Sequence, residues 1–110
     1  MTNIKIEERY ANMIGYTDVS PCEIVKRISD KTIEIRNMDA EKDPSWKADF
    51  HPGGFFGHTS NQNSQKWIIT SNADNRVFRI RLSKNHGWRD ANGQTYQLAE
   101  TPRRFYDYNF

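Results

Sequence analysis

Residues 76–82 read Arg-Val-Phe-Arg-Ile-Arg-Leu, and no other segment narrows the possible folds as much. Phe78, Ile80 and Leu82 alternate with Arg79 and Arg81. Successive side chains of a strand point to opposite faces, so the segment predicts a half-buried β-strand with its arginines in water. Thr32-Ile33-Glu34-Ile35-Arg36 repeats the alternation. Before it, Cys22, Ile24, Lys26 and Ile28 fall on one side of a second run and Glu23, Val25 and Arg27 on the other. Ser29-Asp30-Lys31 is a compact turn, which makes the pair a hairpin.

Further strand signals lie at Gln65–Thr70, closed by a turn over 71–75, and at Thr95–Leu98. Asn92-Gly93 reads as a type I′ turn joining the latter to a short strand near Trp88. Asn85-His86-Gly87 turns or bulges the chain, and the charged run from Asp39 to Pro44 ends the strand before it. The expected fold is mainly β: a small SH3-like barrel or a strongly bent antiparallel sheet, with an OB-like barrel as the alternative. Ile6, Tyr10, Met13 and Ile14 sit at helical spacing after Thr2 or Asn3 and before Gly15, predicting a short N-terminal helix. The expected layout is one domain: an extension over 1–20, a barrel over 21–101 and an aromatic tail over 102–110.

Only 35% of the 110 residues are hydrophobic, but 13% are aromatic. Each buried ring removes roughly 150–250 Å² from water. A thin, aromatic-heavy core follows, and disorder is the weaker reading because disordered chains are poor in aromatics. Cys22 is the single cysteine, which excludes an internal disulfide and a cysteine metal cluster. A reducing, cytoplasmic home is expected, since no apolar run suits a membrane span or a signal-peptide core.

The net charge of +2 decides little, but its distribution says more. Residues 1–49 carry eight Lys/Arg against ten Asp/Glu, residues 50–65 carry none, and residues 66–110 carry eight against four. The C-terminal half is basic, which favours an anionic partner.

Residues 45–64 keep neither strand nor helix periodicity. Trp46, Phe50, Phe55 and Phe56 are mixed with Pro52, Gly53, Gly54 and Gly57, then with an Asn/Gln/Ser run. A long loop is expected, and loops of that length are usually functional or mobile. The last residues, 102–110, hold four aromatics and are expected to pack back on the barrel, because an exposed aromatic cluster invites aggregation.

Several of these segments together look familiar. They are the hairpin at 22–36, Trp46, Pro52-Gly53-Gly54-Phe55, Asn61-Gln62, Gln65-Lys66-Trp67, Arg79-Ile80-Arg81-Leu82, Gly87-Trp88 and the closing 103–110 run. In this order the chain, over about residues 20–110, resembles a family of small proteins of unknown function from phages, prophages and plasmids. The resemblance implies an accessory protein of a mobile element in a bacterial cytoplasm, and it supplies no catalytic residues.

Three function classes remain. The first is a non-catalytic module that recognises another protein through Trp46, Phe50, Phe55 and Phe56, since an aromatic anchor within a polar rim concentrates interface energy. The second is a nucleic-acid-binding module using Lys66, Arg76, Arg79, Arg81 and Arg89, with Lys84 nearby in sequence and a tryptophan as a stacking platform. The third is a metal-dependent enzyme built on Asp49, His51 and His58. That spacing matches no zinc signature, and such sites need a further ligand, so neither a metal nor another cofactor is expected. Cys22, in phase with Ile24, is expected to be a buried thiol and not a nucleophile. Oligomeric state is not legible, although an edge strand or the tail would suit a dimer contact.

Overall fold

A computed structural model describes residues 8–51 and 58–108. In chain order the strands are β1 (Tyr10–Ile14), β2 (Val19–Ser20), β3 (Cys22–Ser29), β4 (Thr32–Asn37), β5 (Asp39–Lys42) and β6 (Phe50–His51). β7 (His58–Thr59), a single 3-10 turn at Gln62–Ser64, β8 (Trp67–Thr70), β9 (Val77–Ser83), β10 (Gly87–Arg89) and β11 (Thr95–Ala99) follow. The fold is mainly β, as the alternation requires.

The main sheet runs β11-β10-β9-β4-β3-β1-β2, and β11 pairs again with β1. That last pairing closes a six-stranded antiparallel barrel of the small SH3-like or OB-like kind, with β2 hanging from β1. Closure removes the open edges that a sheet of this size would otherwise expose. Ala11, Cys22, Ile33, Ile35, Ile80, Trp88 and Tyr96 form the core, with Met13, Ile24, Phe78, Leu82 and Leu98 packed against it. These are the inward positions of the alternating segments.

Among the described residues there is no N-terminal helix: residues 10–14 are strand β1, in register with β11 from Tyr10↔Ala99 to Ile14↔Thr95, and the part of the expected helix before residue 8 lies outside the described residues. The helical spacing misled because β1 is covered on both faces. Ala11 is core, Met13 packs on it, and Asn12 is buried beneath the C-terminal segment. A strand covered on both sides loses the polar/apolar alternation that identifies one. The barrel therefore begins at residue 10 and not at 21.

Two local features also differ from expectation. Register shifts in β3, between Ile24 and Lys26 and between Arg27 and Ser29, leave Val25 and Ile28 without a partner in the β4 ladder. Val25 and Ile28 are left exposed, although the simple alternation put Ile28 with Cys22 and Ile24. The Asn92-Gly93 hairpin is present, but only Gly93 has positive φ, at 82°. With Gly93 N donating to Asp90 O and Asp90 N to Gln94 O, the geometry is a type I turn followed by a glycine bulge, not type I′.

Between β4 and β9 the chain leaves the barrel as a ribbon. Asp39–Lys42 does not end the strand region but pairs as β5 with β8, and further out β6 pairs with β7. Much of the expected loop at 45–64 is thus the outer part of an arm, while residues 52–57 lie outside the described residues. The arm makes the molecule long: it measures 52 × 29 × 23 Å, with a radius of gyration of 16.1 Å. A compact domain of this length would have about 13 Å.

The tail packs back, as the aromatic composition predicted. Phe105 forms a β-bridge with Val19, and Arg103 N donates to the buried Asn12 side chain. Beyond it the Gln65 side chain hydrogen-bonds both N and O of Tyr106, and Gln62 accepts from Tyr108 N. The tail is a strap that joins the arm's base to the barrel.

Candidate nucleic-acid interface

Strand alternation sends Arg79 and Arg81 of β9 outward, and Trp88, turned into the core, leaves its neighbour Arg89 on the outer face of β10. The β9–β10 register places Arg89 directly opposite Arg81, while Thr32 lies opposite Arg81 on the other side. Arg79, Arg81 and Arg89 line one open hollow of about 460 Å³ together with Ser83, Asp90 and Ala91.

The charges in this hollow are unevenly matched. Arg79 sits opposite Glu34 and pairs with it, Nε to Oε2 at 3.2 Å. Neither Arg81 nor Arg89 has an ion pair among the described residues, and the Nε of Arg89 is buried with no hydrogen-bond partner among them. Like charges directly opposite in a ladder are destabilising. Asp90, on the wall, is occupied elsewhere: Oδ1 accepts from the amides of Asn92 and Gln94, and Oδ2 accepts from the Tyr96 hydroxyl. The lining holds three guanidiniums against the one Asp90 carboxylate, so the hollow keeps a net positive charge even with Arg79 paired to Glu34.

Two of the five basic residues singled out from sequence lie elsewhere. Lys66 is at the base of the arm, where its carbonyl accepts from Asp43 N, and Arg76 precedes β9 at the end where Arg36 pairs with Val77. Two lysines join instead. Lys31 and Lys84 line an adjoining hollow with Asn85 and Gly87, and this hollow shares Leu82 and Ser83 with the first. The hairpin turns that carry Lys31 and Lys84 are visible in the sequence, but their meeting depends on the β4–β9 pairing. Sequence reasoning had no signal for Lys31.

None of the tryptophans serves this face. Trp88 is core. Trp46 is 8% exposed, lies 5.5 Å from the Tyr108 ring and donates through Nε1 to Ser64 Oγ. The Trp67 ring is covered by the Arg104 guanidinium at 5.1 Å, and Arg104 also lies over Tyr106. Base stacking, half of the expectation from sequence, thus has no tryptophan platform beside the arginines.

The arm presents less than its composition suggested. Phe50 is 59% exposed, whereas Trp46 is buried, and Phe55 and Phe56 lie outside the described residues. The amide side chains brace the fold and do not form a free polar rim. Asn61 donates to Lys47 O and accepts from Asp49 N, and Gln65 also accepts from Trp67 Nε1.

Asp49 and His51 approach each other, Oδ2 to Nε2 at 3.4 Å, with Ser60 Oγ 3.0 Å from the same Nε2. His51 and His58 are backbone partners across the ladder, while the His58 side chain lies outside the described residues. Among the described residues no three His, Cys, Asp or Glu side chains gather as a metal site. Cys22 is buried and its Sγ donates to Asn37 Oδ1 at 3.1 Å. Burial, and then the charge of Asp90, pushes this thiol up to about 12, the wrong direction for a nucleophile.

No family model matches the chain, and no curated protein or solved structure matches it.

Proposed function

We propose that the chain is a non-catalytic binding module whose basic barrel face takes the phosphate backbone of a nucleic acid. The observation that carries this reading is the Arg81–Arg89 pair: two arginines opposite each other in the ladder, neither ion-paired among the described residues, on the wall of an open hollow. Guanidinium forks match phosphate oxygens, and a phosphate between the two would relieve their repulsion. Without stacking rings at the site, recognition would be directed to the backbone, tolerant of sequence and steeply salt-dependent. Fluorescence anisotropy with labelled DNA and RNA tests it. Arg81→Gln/Arg89→Gln should lose at least tenfold in affinity with a melting temperature no lower than the wild type's, and equal affinity in the variant would refute the reading.

A second reading has its own support, the exposed Phe50 ring on the projecting arm: recognition of a partner protein. Phe50→Ala should then leave the melting curve unchanged and abolish capture of that partner; retained capture would dismiss it. The resemblance to small mobile-element proteins supports a place as an accessory factor of such an element. The lone cysteine, and the lack among the described residues of a helix long and apolar enough to cross a membrane, favour a cytoplasmic setting.

A further inference from the structure

The arginine hollow does not stand alone. At the end of β9 it continues into the second hollow, where Lys31 and Lys84 stand. Leu82 and Ser83 are walls of both, so the two hollows adjoin. Lys31 is brought there by the β3–β4 turn, whose carbonyl accepts from Leu82 N at 2.8 Å, and Lys84 by the turn after β9. Both lysines are exposed, and neither is paired among the described residues. Among the described residues Asp90 is the one carboxylate on either wall, and its hydrogen bonds tie it to its own turn and to Tyr96. Thr32, next to Lys31, faces Arg81 across the β4–β9 ladder, so the lysine hollow follows directly on the arginine one.

We propose that the two hollows form one track holding consecutive phosphates of a single strand, one between Arg81 and Arg89 and the next between Lys31 and Lys84. The inference rests on the nucleic-acid reading and deepens it, because it fixes the direction of the strand's path, off the end of β9 and away from the arm. Single-stranded nucleic acid and one strand of a duplex share this phosphodiester chemistry.

The full-length chain is titrated with a labelled short single-stranded DNA and with the matching duplex over a series of salt concentrations. The three proteins are the wild type, Lys31→Gln/Lys84→Gln and Arg81→Gln/Arg89→Gln. For whichever DNA binds more tightly, the lysine variant should weaken binding several-fold. It should also flatten the plot of log affinity against log salt by about 0.7 for a single strand or 0.9 for a duplex, the value of one phosphate. Unchanged affinity and slope in the lysine variant, beside weakened binding in the arginine variant, would overturn the track and leave the nucleic-acid reading standing. If the arginine variant also binds as the wild type does, that reading falls and the track falls with it. Circular dichroism of both variants confirms that the compared proteins share one fold.

Discussion

At the scale of single residues, the interior polar groups are the most exposed to test. Asn12 is 1% exposed and holds the strap with both ends of its amide, donating to Thr101 O and accepting from Arg103 N. Removing the amide takes two hydrogen bonds from the strap and empties a buried site, so Asn12→Ala should cost about 1–3 kcal/mol in urea unfolding. A cost below about half a kcal/mol would mean that the strap is not held there. The buried thiol gives a pH signature. Between the ordinary thiol value of 9.0 and about 12, folded Cys22 keeps a proton that the unfolded chain releases, so stability falls as pH rises through that window. Burial and the hydrogen bond to Asp90 raise the Tyr96 phenol too, and its effect has the same sign. Cys22→Ser should therefore lose stability less steeply above pH 9.0 than the wild type, with a slope left over from Tyr96. Identical slopes would contradict the assignment.

Elements are where sequence and structure agree and part most clearly. β4 and β9 were legible because each has one face in the core and one in water, so the period of two survives in Ile33, Ile35, Phe78 and Ile80. β1 was not, because Asn12 is buried by the strap and the alternation is masked. The outer half of β3 was misread because register shifts interrupt its ladder with no mark in composition. Among the site residues, Arg79 and Arg81 were readable from one strand. Their meeting with Arg89 required the β9–β10 register, and Lys31 required a long-range pairing. The expected tryptophan platform is missing because Trp46 and Trp88 are buried and Arg104 covers the Trp67 ring, and composition cannot tell a stacking platform from a packed ring. The same ladder yields a prediction without any ligand. Arg81 faces Arg89, so Arg81→Thr should not destabilise β9 and should stabilise it by roughly 0.2–1 kcal/mol at low salt. A destabilisation that persists at high salt would show that Arg81 contributes through packing.

At the scale of the whole molecule, the protein is a closed barrel with a ribbon arm tied to it by its own C-terminal strap. The tie includes Gln65 to Tyr106, Gln62 to Tyr108, Arg104 over the Trp67 ring, and the Trp46–Tyr108 ring pair, with Lys42 5.1 Å above the Tyr108 ring. Gln65→Ala should raise amide exchange in the arm while core strands β4 and β9 stay protected, because the barrel closes without the strap. Uniform loss of protection would make barrel and arm one cooperative unit. The basic face and the arm's Phe50 belong to different parts of this molecule, and that separation permits a direct test of where nucleic acid is met. In two-dimensional NMR of the full-length chain titrated with short DNA, the amides of 79–84 and 87–91 and of Lys31 should shift, while those of 40–51 and 58–70 should stay in place. Shifts confined to the arm, or no shifts at low salt, would contradict the assignment of the arginine face.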